Sequence, residues 1–193
     1  MHRHHRVLAA VDLDSDSVSP PPHATPSHDL ENRTEIGHLA MLRNLFEYYC
    51  YDMSEWFELD TGADGTFAHN TSSVWAKGCH VYLAKAGASI AGFAIVGSGT
   101  EWLGDSGVHD VHEFFIMRKF RRRGIGQSMT TFLWDEHPGE WLVRVLAANA
   151  PAVLFWRKVI SRYSLGSFQE EQRIVSGRPW KFFRFASTVS PAV

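Results

Sequence analysis

The amino-acid sequence predicts a mixed α/β domain built around one sheet, and two observations carry that reading. Apolar residues recur first at helical spacing, then in strand-like runs, giving the order helices, three strands, helix, strand, helix, two strands, with no internal repeat. Hydrophobic residues make up 45% and charged residues 21% of the 193 positions, the balance of a globular chain with one sizeable core.

Residues 14 to 29 are rich in Ser, Pro and Asp and carry almost no large apolar side chain, so they cannot bury enough surface to offset their ordering entropy. Residues 1–32 are therefore expected to form a disordered N-terminal arm, in which Arg6 to Leu13 is either an edge strand or unstructured. The folded domain is expected over 33–190. From Glu35, the positions Ile36, Leu39, Leu42, Phe46 and Tyr49 form a helical stripe. Asp52-Met-Ser-Glu has the pattern of a second short helix start, and Asp60 to Gly65 that of a turn-rich loop. His80 to Lys85 and Ser89 to Val96 read as a hairpin around Ala86-Gly87. Gly97 to Gly107 reads as a loop. Val108 to Met117 is nearly all apolar after Glu113, as in a strand covered on both faces. Gly126 to His137 is helical and stops at Pro138-Gly139. Glu140 to Ala147 is strand-like, Pro151 to Ile160 helical, and Leu165 to Val175 and Trp180 to Ala186 are two closing strands.

Composition excludes several functions. The formal net charge of -2 lacks the positive excess of a nucleic-acid binder, so that role would rest on the local run Arg118 to Arg123 alone. No apolar run approaches the roughly 20 residues of a membrane span. Cys50 and Cys79 sit in no metal-ligand spacing, and both are expected to be reduced, as in a cytoplasmic protein. No metal site is expected.

The segment that carries chemistry is Phe114 to Met129. An apolar strand runs into a basic turn with Gly124 and Gly126, then into a helix. The first turn of a helix has N–H groups without intrahelical partners and a partial positive end, glycines let the backbone approach phosphate oxygens, and Arg side chains add charge-assisted hydrogen bonds. The turn is neither a GxGxxG fingerprint nor a Walker loop. Arg121-x-x-Gly124-x-Gly126 instead resembles the R/Q-x-x-G-x-G/A signature of the GNAT superfamily of acyl-CoA N-acetyltransferases. Asn149-x-x-Ala152-x-x-Phe155-Trp156 is similar to that family's second conserved region, usually N-x-x-A-x-x-F-Y. Pro179 to Phe183, and Tyr51-Asp-Met-Ser, are similar to segments in a group of predicted acetyltransferases that lack an assigned substrate.

The resemblance implies a mixed, mostly antiparallel sheet flanked by helices. It implies acetyl-CoA as co-substrate and direct attack by a primary amine of a small molecule or peptide in a ternary complex. The pantetheine arm would lie against the main chain of Phe115, Ile116 and Met117, the pyrophosphate on Arg121, Arg122, Arg123, Gly124, Ile125, Gly126 and Gln127, with Asn149 and Phe155 beyond. Dimers are common in the family, so a homodimer is one expectation.

A base must take the amine proton. Asp110 and Glu113 are the carboxylate candidates, with Glu113 nearer the expected thioester, and His112 is a third. Three apart on a strand, the two carboxylates should face opposite ways unless a bulge intervenes. Trp156 stands where the family has a Tyr that protonates the leaving thiolate, and indole cannot serve. Tyr163, about two turns along the helix, is the candidate substitute. Two other readings stay open. One is a CoA-binding module that senses acyl-CoA without turnover, and the other is the nucleic-acid reading. The acidic run Asp52, Glu55, Glu58, Asp60 and Asp64 is either a solvated face or a mouth for a cationic amine.

Overall fold

The computed structural model describes residues 8–12, 34–67, 79–104 and 107–187. They fall in two compact units, one within 14–73 and the other comprising 1–13 and 74–193.

The larger unit is a seven-stranded mixed sheet. Its strands are β1 (Leu8–Asp12), β2 (His80–Ala86), β3 (Ser89–Ser98), β4 (His109–Ile116), β5 (Gly139–Leu146), β6 (Phe168–Val175) and β7 (Arg178–Ser187), in spatial order β1-β2-β3-β4-β5-β7-β6. β1 and β2 are parallel, as are β4 and β5, and every other neighbouring pair is antiparallel. Leu8–Asp12 is thus the edge strand weighed for the N-terminal segment, and the rest of the expected 1–32 arm lies outside the described residues.

Helices α3 (Ile125–Glu136) and α4 (Ala150–Tyr163) cover one face of the sheet. Ile125, Met129 and Leu133 recur every four residues on α3, and Val153, Trp156 and Ile160 at three- and four-residue steps on α4, so each helix lays an apolar stripe on the strands. Trp141, Val143 and Val145 of β5 and Phe183 and Phe185 of β7 meet them. Each fully buried large side chain contributes about 2 kcal/mol of burial free energy. On the opposite face Val108, Leu142 and Phe182 form a smaller cluster. Beside it packs α2 (Thr100–Leu103), a single turn inside the stretch read as a loop. β6 is an edge strand, and its Glu170 takes a bidentate pair from Arg157 at 2.7 Å, a charged flank that discourages edge pairing.

In the smaller unit α1 spans Thr34–Met53, longer than the stripe that predicted it. Asp52 belongs to this helix. The chain leaves it in a turn, with the Ser54 hydroxyl donating to the Tyr51 carbonyl, so the expected second short helix does not form. The Asp64 carboxylate accepts from the Thr66 amide and hydroxyl at 3.1 and 2.9 Å, which gives this member of the acidic run a turn-forming role.

Candidate functional site

The site begins with one extra residue in β4. Phe115 pairs with Phe93, Phe114 with Ala94 and Glu113 with Ile95, but the next pair is Val111 with Val96. His112 is therefore a β-bulge. Val111, Phe114 and Ile116 face α3 and α4, while Phe115 packs on Phe93 on the other face. By pairing with Ile95, Glu113 joins that other face, and so does His112, whose Nε2 lies 3.6 Å from Asp110 Oδ2. The bulge brings Asp110, His112 and Glu113 to one side of the sheet, where plain alternation would have divided the carboxylates.

The same bulge opens the sheet. β4 and β5 pair only at His109–Trp141, Asp110–Leu142 and Val111–Val143. β5 stays paired with β7 to Leu146, whereas β4 runs on to Ile116 without pairing with β5. From Glu113 to Ile116 β4 makes no ladder with β5, and this edge of β4 borders the gap. Gly92 of β3 lets β4 pass close, since a Cβ there would stand 2.0 Å from the Phe115 carbonyl oxygen. The Met117 amide is engaged by the Ala91 carbonyl at 2.8 Å.

Asp110 is fully buried. Arg144 of β5 holds it with Nε at 3.2 and 3.0 Å from the two carboxylate oxygens and Nη2 at 2.8 Å from Oδ2. The Arg144 guanidinium in turn lies over the Trp102 ring at 4.3 Å. Asp110 is an ion-pair anchor between the strands where they begin to part, and so is a poor candidate for a proton acceptor. Glu113 lies farther along β4, beside the gap.

At the mouth of the gap, Arg118–Phe120 forms one 3₁₀ turn. Arg122 (φ 65°) and Gly124 (φ 83°) are both left-handed, and α3 follows with Gly124 as its N-cap and no side-chain cap. The first-turn amides of Ile125, Gly126 and Gln127 thus have no intrahelical acceptor and point toward the turn. Arg122 and Arg123 are exposed. Arg121 has a bracing role, its Nε donating to the Ile116 carbonyl at 2.7 Å and its guanidinium lying over the Phe115 ring. Gly126 packs on α4, where a Cβ would meet Phe155 ring carbons at 3.2 and 3.3 Å. The two sequence motifs therefore touch, and Phe155 stacks in turn on Phe114.

Asn149 caps α4, its Oδ1 accepting from the Ala152 amide at 3.1 Å, with Pro151 in the first turn. Trp156 is buried core, edge-on to Phe114. Tyr163 is not brought to the gap. Its hydroxyl donates to Asp135 at 2.7 Å, at the C-terminal end of α3. Gly124 lies at the other end, about 15 Å away along the helix axis. Burial first, then the hydrogen bond to Asp135, hold the Tyr163 phenol well above its ordinary pKa. Its geometry does not fit the general-acid role expected of it.

Sequence reasoning missed Arg144 and the pairing of His112 with Cys79. The only signal for Arg144 was a lone charge within an apolar run.

A mixed sheet that parts between two parallel strands, with an amide-lined glycine turn at the mouth of the gap, defines the class of acyl-CoA-dependent acyltransferases. The chain belongs to the acetyltransferase (GNAT) family, whose model matches residues 38–160. No functionally curated protein matches it. Among solved structures it is similar to a ribosomal-protein-alanine N-acetyltransferase from Brucella melitensis, with TM-score 0.56, 15% identity, and coverage of 78% of this chain and 94% of that one. It is also similar to yncA from Salmonella typhimurium, solved with its cofactor acetyl-CoA (TM-score 0.54, 12% identity, 81% and 92% covered). A third likeness is to smu.2055 from Streptococcus mutans (TM-score 0.54, 18% identity, 79% and 96% covered). At these identities the likeness is one of fold.

Proposed function

We propose that this chain transfers an acetyl group from acetyl-CoA to a primary amine of a small molecule or peptide, by direct attack in a ternary complex. The observation that carries the reading is the parting of β4 from β5 after Val111, directly beside the uncapped first turn of α3. The residues present fit the co-substrate. The amides of Ile125, Gly126 and Gln127, with Arg122 and Arg123, form a cradle for a pyrophosphate. The β5-facing main chain of Glu113 to Ile116 matches the alternating donors and acceptors of a pantetheine arm. Acetyl-CoA supplies the activated acyl carbon. An amide at the β4 edge polarises the thioester carbonyl, and Glu113 accepts the amine proton. Holding both reactants in line supplies much of the acceleration.

A second reading has its own observation. Trp156 is buried core where the family has Tyr, and Tyr163 is committed to Asp135, so neither is placed to protonate the leaving thiolate. A CoA-binding module without turnover follows if water cannot take that part.

The test is thiol release from acetyl-CoA across polyamines, aminoglycosides, amino acids and peptides, with Gly126→Glu as control. Peptides bearing an N-terminal alanine belong in the panel because the Brucella melitensis neighbour is a ribosomal-protein-alanine N-acetyltransferase. In the control, the new side chain presses on Phe155 and brings a carboxylate to the first-turn amides. Turnover with any amine, lost in the control, supports the transferase. CoA binding without turnover, also lost in the control, supports the second reading. Absence of CoA binding in the wild type refutes both.

A further inference from the structure

Beside the bulge of β4, three side chains of the same sheet face form a line. Cys79, immediately before β2, has its Sγ 3.9 Å from His112 Nδ1. The other ring nitrogen of His112, Nε2, lies 3.3 Å from the Ser98 carbonyl oxygen and 3.6 Å from Asp110 Oδ2. The Ser98 carbonyl can only accept a hydrogen bond, so Nε2 carries the hydrogen and Nδ1 turns a lone pair toward the thiol. This is the arrangement in which a histidine takes a proton from a cysteine, with the Ser98 carbonyl holding the ring and the Asp110 charge nearby. Arg144 extends the line beyond Asp110, so a thiolate at Cys79 and an imidazolium at His112 would continue an alternation of charges. Glu113 is the other titratable group this face of β4 presents.

The seat for the ring is built into β3. A Cβ on Gly97 would lie 2.4 Å from His112 Cε1, 2.7 Å from Nε2 and 3.0 Å from Nδ1. Only glycine lets the imidazole lie flat across the strand and reach Cys79. The His112 side chain keeps 32% of its surface accessible, and Cys79 is half-buried.

We propose that Cys79 is a histidine-activated thiol and a site of oxidation by hydroperoxides arriving from solvent. It is not an acceptor of the acyl group. Cys79 stands at the start of β2, with β3 between that strand and β4, and the gap lies on the far side of β4. His112 takes the Cys79 proton. The thiolate attacks one peroxide oxygen, forming an S–O bond as the O–O bond breaks. Sulfur gives up two electrons, and the leaving hydroxide or alkoxide takes the proton from His112 Nδ1. The products are a sulfenic acid and water or an alcohol. The inference does not depend on the acyl-transfer reading.

The test uses the full chain, limiting hydrogen peroxide and a sulfenic-acid trap, with labelling at Cys79 and Cys50 followed peptide by peptide in the mass spectrometer. The reference is the same chain unfolded in urea at the same pH. Cys79 of the folded chain is expected to label about tenfold faster than in the unfolded chain, because the thiolate is the reacting species. Buried Cys50 is expected to label more slowly than in the unfolded chain. His112→Gln should bring Cys79 to within about twofold of the unfolded rate. Folded Cys79 reacting no faster than unfolded Cys79, or a folded His112→Gln variant keeping the wild-type rate, overturns the proposal. If the variant does not fold, the wild-type comparison decides alone.

Discussion

Neutralising Asp110 separates an anchor from a base. In Asp110→Asn the Arg144 guanidinium loses three contacts to a carboxylate while its own side chain is only 14% exposed. Removing one partner of a buried pair costs 3–5 kcal/mol, because the remaining charge stays desolvated. The Trp102 face 4.3 Å from the guanidinium carbon offsets part of that, so the lower end, about 3 kcal/mol, is expected. For a chain of this size that is about 10 °C in Tm. Asp110→Leu with Arg144→Met removes both charges and should cost about 1 kcal/mol, well under the sum of the single changes. Urea unfolding followed by tryptophan fluorescence, with thermal melts by circular dichroism, reads both quantities. Glu113→Gln should change stability by less than about 1 kcal/mol and lower kcat about a hundredfold. Asp110→Asn within about 1 kcal/mol of wild type, or a double variant no better than the singles, refutes the anchor role.

Acid should weaken the fold through His137, which sits between the His80 and His109 rings and contacts the Tyr82 hydroxyl. Burial first, then the two neighbouring histidines, lower its pKa from 6.5 to about 4. The unfolded chain binds this proton more readily, so the stability is present above pH 6.5 and is lost as pH falls through 4. The ring is half exposed, so screening reduces the effect to about 1 kcal/mol. A His137→Gln variant should lose that slope in melts across the window, and an unchanged slope would rule the histidine out. Tyr163→Phe removes the hydrogen bond to Asp135, for a loss of about 1 kcal/mol. Its turnover should stay within about twofold of wild type, whereas a drop beyond tenfold would restore Tyr163 as the general acid.

The legible parts of this protein were those written in local chemistry. The basic glycine turn between a strand and a helix, the Asn149-Ala-Pro cap and the stripes on α3 and α4 each depend on residues within a turn or two of one another. Helix periodicity and capping are short-range rules, and the structure follows them. The mixed sheet was likewise readable from the order of its runs. The short helix expected at Asp52 was not, because α1 ran on through it.

What only the tertiary structure decided is which side chains share a face and what holds them. Alternation along an isolated strand sends Asp110 and Glu113 to opposite sides, but a bulge exists only relative to a partner. Val96 and Ile95 of β3 are what make His112 the extra residue. That single offset also turns β4 away from β5 and lays His112 over Gly97. Arg144 lies 34 positions from Asp110 in the chain and meets it only because two parallel strands are in register there. Tyr163 was two turns from the right position by helix counting, yet the packing of α4 on α3 carried it to Asp135. Sequence spacing measures distance along the chain, and the chemistry of this site depends on distances across the sheet.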